Sequence, residues 1–250
     1  GDIFSVPKKD GSWINLTSTP GIADRFPVWS PKGDKIAWFS DNGGEYQLTI
    51  ADQNGQNQSQ IALPNPTFYF KPDWSPDGKQ IAFTDTDYNI WTVNLETKKV
   101  SKADTDRYAH PNRSMNPVWS PDSQWITYSK QLNSHFKAVF VYNISTDKTH
   151  QITDGMADVI SPVWDEGGEY IYALGSTNYG LATGWLDMSS YDPKTVRSLY
   201  AIVLNKNGKA PNLPKNDMEN ASEAEKDKKK EEVEKDKKKE EKEKEVIVKI

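Results

Sequence analysis

Cysteine is absent from the chain, which excludes disulfides, zinc–thiolate sites and thiol catalysis and leaves the redox compartment unreadable. Histidine is scarce: His110, His135 and His150 make up the whole complement, in or near loop patterns and with no recognisable nucleophile beside them. They read as surface histidines. There is no Gly-x-Ser-x-Gly elbow, no His-Glu-x-x-His pair, no phosphate-binding glycine loop and no dinucleotide fingerprint. The residues that announce hydrolase, metalloprotease or nucleotide chemistry are therefore missing, and no catalytic residue, cofactor or metal is expected. Asp85-Thr86-Asp87 and Asp104-Thr105-Asp106 lack the further ligands and glycine of a calcium loop, so they read as turn-forming aspartates. No apolar run reaches the roughly 18 residues of a helical membrane span. A net charge of −5, from 31 basic and 36 acidic side chains, gives no sign of nucleic-acid binding. Gly1 to Val6 lack the basic start and apolar centre of a signal peptide, so the chain reads as starting inside a longer one.

What the chain has is repetition. Phe26-Pro27-Val28-Trp29-Ser30-Pro31-Lys32-Gly33 recurs as Pro72-Asp73-Trp74-Ser75-Pro76-Asp77-Gly78, then as Pro117-Val118-Trp119-Ser120-Pro121-Asp122-Ser123, then as Pro162-Val163-Trp164-Asp165-Glu166-Gly167-Gly168. Trp29, Trp74, Trp119 and Trp164 stand 45 residues apart. In each copy an apolar residue and Trp end a strand, a Pro- and Gly-bearing turn follows, and a second strand such as Ile81-Ala82-Phe83 leaves it. Most copies then add an apolar strand, a polar turn and a last short strand, as in Asn89 to Leu95 and Lys98 to Ser101. Antiparallel strands in fours at this period make a β-propeller blade, and the fold class is all-β. The four tryptophans are expected in the core between blades.

The motif Trp-Ser-Pro-Asp-Gly-Lys-x-Ile-Ala-Phe resembles the blade signature of TolB-like propellers, shared with tricorn-type and prolyl-oligopeptidase-type serine peptidases. A narrower resemblance lies in Gly180 to Asp192, in Ser123-Gln124-Trp125-Ile126 and in Ala138 to Tyr142, which are similar to the N-terminal propeller region of bacterial tricorn-like serine peptidases. It spans nearly the whole chain apart from the charged tail. Blades open at Phe26, Lys71, Asn116 and Ser161, and Ile3 to Thr17 supply only the outer half of an earlier one. The resemblance implies about six blades in the intact propeller, so residues 1–205 are expected to form about four and a half blades of an incomplete ring. Such a ring exposes strand edges and favours self-association.

Two loops and a tail stand outside the repeat. The segment Ala103 to Arg113 is longer than its counterparts and holds Arg107, His110 and Arg113; with Arg25 these are the candidate peptide contacts, since guanidinium groups hold carboxylates bidentately. Gly175 to Thr195 is an insertion carrying Tyr179, Trp185, Asp187, Met188 and Tyr191, read as a lid or interface loop or as a loop packed on its own aromatics. Residues 206–245 form a low-complexity linker, flexible or a frayed helix, in which Glu219 to Glu245 holds ten Lys, ten Glu and two Asp. Val246 to Ile250 is a strand closing the last blade or entering a following domain.

The resemblance implies a non-catalytic propeller of a serine peptidase, whose catalytic residues lie in a later domain and whose partners are oligopeptides or unfolded polypeptide, the downstream domains and a second copy of itself. It favours a cytoplasmic location over a periplasmic one. A TolB-like protein-interaction propeller is the alternative, and an independent hydrolase on the propeller face is a third reading.

Overall fold

The computed structural model describes residues 1–108, 115–178 and 195–211. A hairpin of β1 (Phe4–Ser5) and β2 (Ile14–Asn15) precedes four blades. Blade A holds β3 (Asp24–Trp29), β4 (Lys35–Ser40), β5 (Gln47–Asp52) and β6 (Ser59–Ala62). Blade B holds β7 (Tyr69–Trp74), β8 (Gln80–Asp85), β9 (Asn89–Asn94) and β10 (Val100–Thr105). Blade C holds β11 (Val118–Trp119), β12 (Trp125–Gln131), β13 (Lys137–Asn143) and β14 (Lys148–Gln151). Blade D holds β15 (Asp158–Trp164), β16 (Tyr170–Ser176) and β17 (Ser198–Val203). Each sheet is an antiparallel meander in chain order, and first strands approach one another, β3 against β7 and β11 against β15. Among the described residues there is no helix, and no sheet joins blade D to the β1–β2 hairpin, so the ring is open.

The turns explain why the motif repeats. The Ser75 amide donates to Gln80 O at 2.9 Å, and Gly78 N closes back on Ser75 O at 2.8 Å. The Ser75 hydroxyl donates to Asp77 Oδ1 at 2.6 Å while accepting from Gln80 N at 3.0 Å. Ser120 makes the same bonds in blade C, with Asp122 as its acceptor. In blade A, where Lys32 stands at the Asp77 position, the Ser30 hydroxyl accepts from Lys35 N in the same way but donates to Asp34 Oδ1 at 2.7 Å. In blade D the carboxylate of Asp165 accepts directly from Tyr170 N at 2.7 Å, which is why Asp substitutes for Ser there. The left-handed turn position is filled by Gly33, Gly78 and Gly168, but by Ser123 at φ 59° in blade C.

The centre strands are buried on both faces, so they read as continuous apolar runs. Along β4, Ile36 and Trp38 pack toward the first hairpin with Ile3 and Leu16, while Ala37 and Phe39 pack toward blade B with Tyr69, Trp74 and Phe83. Period-two alternation thus sorts residues between two inter-blade layers rather than between core and water. Trp119 joins Ile126 and Tyr128 in the layer between blades B and C, and Val139, Val159 and Ile171 fill the one between C and D.

Each motif indole beyond blade A reaches back to the first strand of the preceding blade. Trp74 Nε1 donates to Val28 O at 3.3 Å, Trp119 to Asp73 O at 3.1 Å and Trp164 to Val118 O at 3.0 Å. Trp29 departs from the expected core position. It is 44% exposed, because the two-stranded element before it contributes no equivalent first strand for its indole to meet.

First strands also carry a bulge. Phe26, Lys71 and Ser161, each three residues before the motif Trp, take φ of 56°, 49° and 53°, and the register slips there in β3, β7 and β15. Each is followed by proline, Pro27, Pro72 or Pro162, which has no N–H for the ladder and is tolerated only on an edge strand or at a bulge. The bulge turns these side chains out of the sheet, and all three are exposed.

Candidate functional site

The long connections cluster at one end of the blades, where first and third strands begin and second and fourth strands end. Buried carboxylates brace this end. Asp24 accepts from the Trp38 indole at 3.0 Å, and Asp85 from the Trp91 indole at 2.7 Å. Asp158, wholly buried, receives the Arg197 guanidinium at 2.7 Å and the Lys137 amide N–H at 2.8 Å. Asp85 does form a turn, accepting from the amides of Asp87 and Asn89 at 2.9 Å each. Asp104 and Asp106 do not. Because β10 runs on to Thr105, beyond the Ser101 end read from the sequence, they face blade C. Asp104 receives Lys130 Nζ at 2.6 Å and the Tyr128 hydroxyl at 2.7 Å, and Asp106 receives Gln131 N at 3.1 Å. Burial, with Asp104 second, drives the Tyr128 phenol upward from its ordinary pKa.

The first strands form an inner wall of mixed character. Phe26 and Phe70 meet edge to face with centroids 5.7 Å apart. Beside them Lys71 Nζ donates to Asn116 Oδ1 at 3.0 Å, bridging blades B and C. Asp73 touches water, yet desolvation by the surrounding protein pushes its carboxyl pKa up, as on a concave wall. Between blades C and D the wall opens into a cavity of about 330 Å³, lined by Asn116, Val118, Ser129, Lys137, Ser161 and Val163 among others. Burial holds the Lys137 ammonium below its ordinary pKa, against the opposing pull of Asp158 and Asp106. A roomier hollow of about 550 Å³ lies at the opposite end, between the Gly168 turn and residues Val203 to Lys209. It runs along a β17 edge that has no further strand among the described residues.

The profile of the tricorn protease second beta propeller domain matches residues 1–249. The chain belongs to that family. This refines the resemblance read from the sequence to the second propeller. No curated protein matches the chain by sequence. Among solved structures, tricorn protease superposes with a TM-score of 0.62 at 17% identity over 80% of this chain, and this chain spans 19% of its length. Putative TolB from Agrobacterium tumefaciens gives 0.50 at 15% identity, covering 73% of this chain and 65% of that one. Oligogalacturonate lyase from Vibrio parahaemolyticus gives 0.53 at 15% identity, covering 73% and 54%. At these identities the likeness is one of fold.

Within this tricorn-type propeller the candidate residues divide. Arg25, exposed on β3, and Arg107, just past β10, lie at the long-connection end. The Arg107 guanidinium is taken by Asn133 Oδ1 in the β12–β13 turn. His110 and Arg113 lie outside the described residues, as do Tyr179, Trp185, Asp187, Met188 and Tyr191, and the tail from residue 212 onward with the strand expected at Val246 to Ile250. His135 packs against Tyr108 with the rings tilted and their centroids 4.4 Å apart, and the His150 ring lies 6.3 Å from that of Trp125. No group of three or more metal-ligating side chains occurs among the described residues. Sequence reasoning passed over Lys71, Asn116, Ser129 and Lys137. For the first two a signal existed: with Phe26 and Ser161 they are the pre-proline residues of the repeat, noticed only as the places where blades open.

Proposed function

We propose that this chain is a non-catalytic propeller of a tricorn-like peptidase, and that its inner wall guides or filters oligopeptides on their way to a catalytic centre elsewhere. The observation that carries the reading is the wall itself, in a chain of this family. First strands present an aromatic pair, Phe26 and Phe70, next to the polar groups of Lys71, Asp73 and Asn116. That mixture suits extended peptides, which bring apolar side chains and unpaired backbone donors and acceptors together. Fluorogenic oligopeptides incubated with the 250-residue chain are expected to bind, with a change in fluorescence anisotropy, and to remain uncleaved. Cleavage by the chain alone would overturn the non-catalytic part. Failure of every peptide to bind, with capture of a folded protein instead, would move the weight to a TolB-like interaction propeller.

A further inference from the structure

We infer that the cavity between blades C and D is a carboxylate receptor, in which Lys137, Ser129 and Asn116 hold a carboxylate of a bound peptide. The inference rests on the peptide-guiding reading and names what that wall recognises. Three donor-bearing side chains line the cavity, two of them, Ser129 and Lys137, with no side-chain partner among the described residues and the third, Asn116, with its amide protons unspent. Ser129 on β12 is 3% exposed, and its buried Oγ makes no hydrogen bond among the described residues. An orphaned hydroxyl of this kind is costly unless a ligand or water completes it.

Lys137 on β13 is 8% exposed. Its ammonium makes no hydrogen bond or ion pair among the described residues. The acids nearest in charge are already engaged: Asp158 with Arg197 at 2.7 Å, and Asp106 with the Gln131 amide at 3.1 Å. Asn116 spends its Oδ1 on Lys71 at 3.0 Å. A lysine can only donate, so the amide orientation is determined and the Nδ2 protons remain to donate. Ser161, exposed at the bulge of β15, stands at the rim.

A cavity of about 330 Å³ walled by donors, one of them cationic, with Val118 and Val163 as apolar sides, selects an acceptor-only anion of modest size. A carboxylate with its neighbouring side chain fits that description. Free acceptors such as a backbone carbonyl would leave the ammonium uncompensated.

The test is a calorimetric titration of the 250-residue chain with one oligopeptide as its free acid, as its C-terminal amide, and as an amide carrying an internal Glu. Binding of the free acid is expected, with amidation weakening it at least about tenfold, the loss of one charge-assisted contact. Recovery in the Glu-bearing amide would extend the receptor to acidic side chains. Lys137→Met should abolish the difference between acid and amide without unfolding the chain, since it removes a buried charge, and Ser129→Ala should weaken acid binding about fivefold. Acid and amide binding equally to the parent, or Lys137→Met retaining the discrimination, would overturn the receptor while leaving the peptide-guiding reading intact. Absence of binding by all three peptides would sink both.

Discussion

Trp119 and Trp29 occupy the same place in the repeat, both in Pro-Val-Trp-Ser-Pro, yet their surroundings differ. Trp119 is 6% exposed and donates to Asp73 O at 3.1 Å; Trp29 is 44% exposed and makes no indole hydrogen bond among the described residues. Truncating a fully buried Trp to Ala costs about 4 kcal/mol, and stranding the Asp73 carbonyl adds about 1 kcal/mol, so Trp119→Ala is expected to cost about 5 kcal/mol. Scaling the first figure by the buried share of Trp29 gives about 2 kcal/mol for Trp29→Ala. Trp119→Phe keeps most of the packing and isolates the hydrogen bond, at about 1–2 kcal/mol. Urea unfolding followed by far-ultraviolet circular dichroism, which does not depend on the removed indole, measures all three against the parent. Equal costs for Trp29→Ala and Trp119→Ala would refute the argument that an indole gains its role only from the preceding blade.

Other perturbations test separate parts of the structure. Ser123→Ala retains the left-handed φ of 59° and strands the Asp77 amide, bonded at 3.0 Å, so it should lose about 1 kcal/mol. Ser123→Gly loses the same bond but relieves a left-handed cost of about 1 kcal/mol and should melt within a degree or two of the parent. Asp73 has its folded pKa raised above the unfolded value by desolvation, so its charged form opposes folding, and stability rises as pH falls through the folded pKa toward about 4. Asp73→Asn should therefore melt higher than the parent at pH 7, and melting curves taken at successively lower pH should converge; a gap that widens on acidification would contradict the assignment. For Lys137 the sign is reversed in chemistry but not in consequence: its folded pKa is lowered, so the cost is present below the unfolded pKa of about 10.4 and vanishes above it. Lys137→Met should accordingly raise the melting temperature at pH 7 and lose that advantage in strong alkali.

The candidate site was far less legible than the fold, and the reason is visible in particular residues. Lys137 sits in an ordinary strand, Lys137–Asn143, where nothing local separates it from a solvated lysine. Its partners in the cavity come from β12, from the residue before Pro117 and from β15, so the site exists only once two blades are stacked. Asp104 and Asp106 misled in the same way. Their Asp-Thr-Asp pattern is a turn pattern, but the bulge between Lys102 and Asp104 carries β10 onward and delivers both carboxylates to blade C.

Local chemistry in the chain settles the blade. A 45-residue spacing, a Ser or Asp that closes each turn, a left-handed residue after it and apolar centre strands are short-range demands, met within one repeat. They specify a meandering sheet whatever its neighbours do. Stacking decides the rest: which face of Ile36-Ala37-Trp38-Phe39 meets which blade, that Trp29 is exposed while Trp119 is not, and that Lys137, Ser129 and Asn116 share one cavity. Those outcomes depend on the rotation from one blade to the next, which brings together residues as far as 46 positions apart, and no local pattern encodes it.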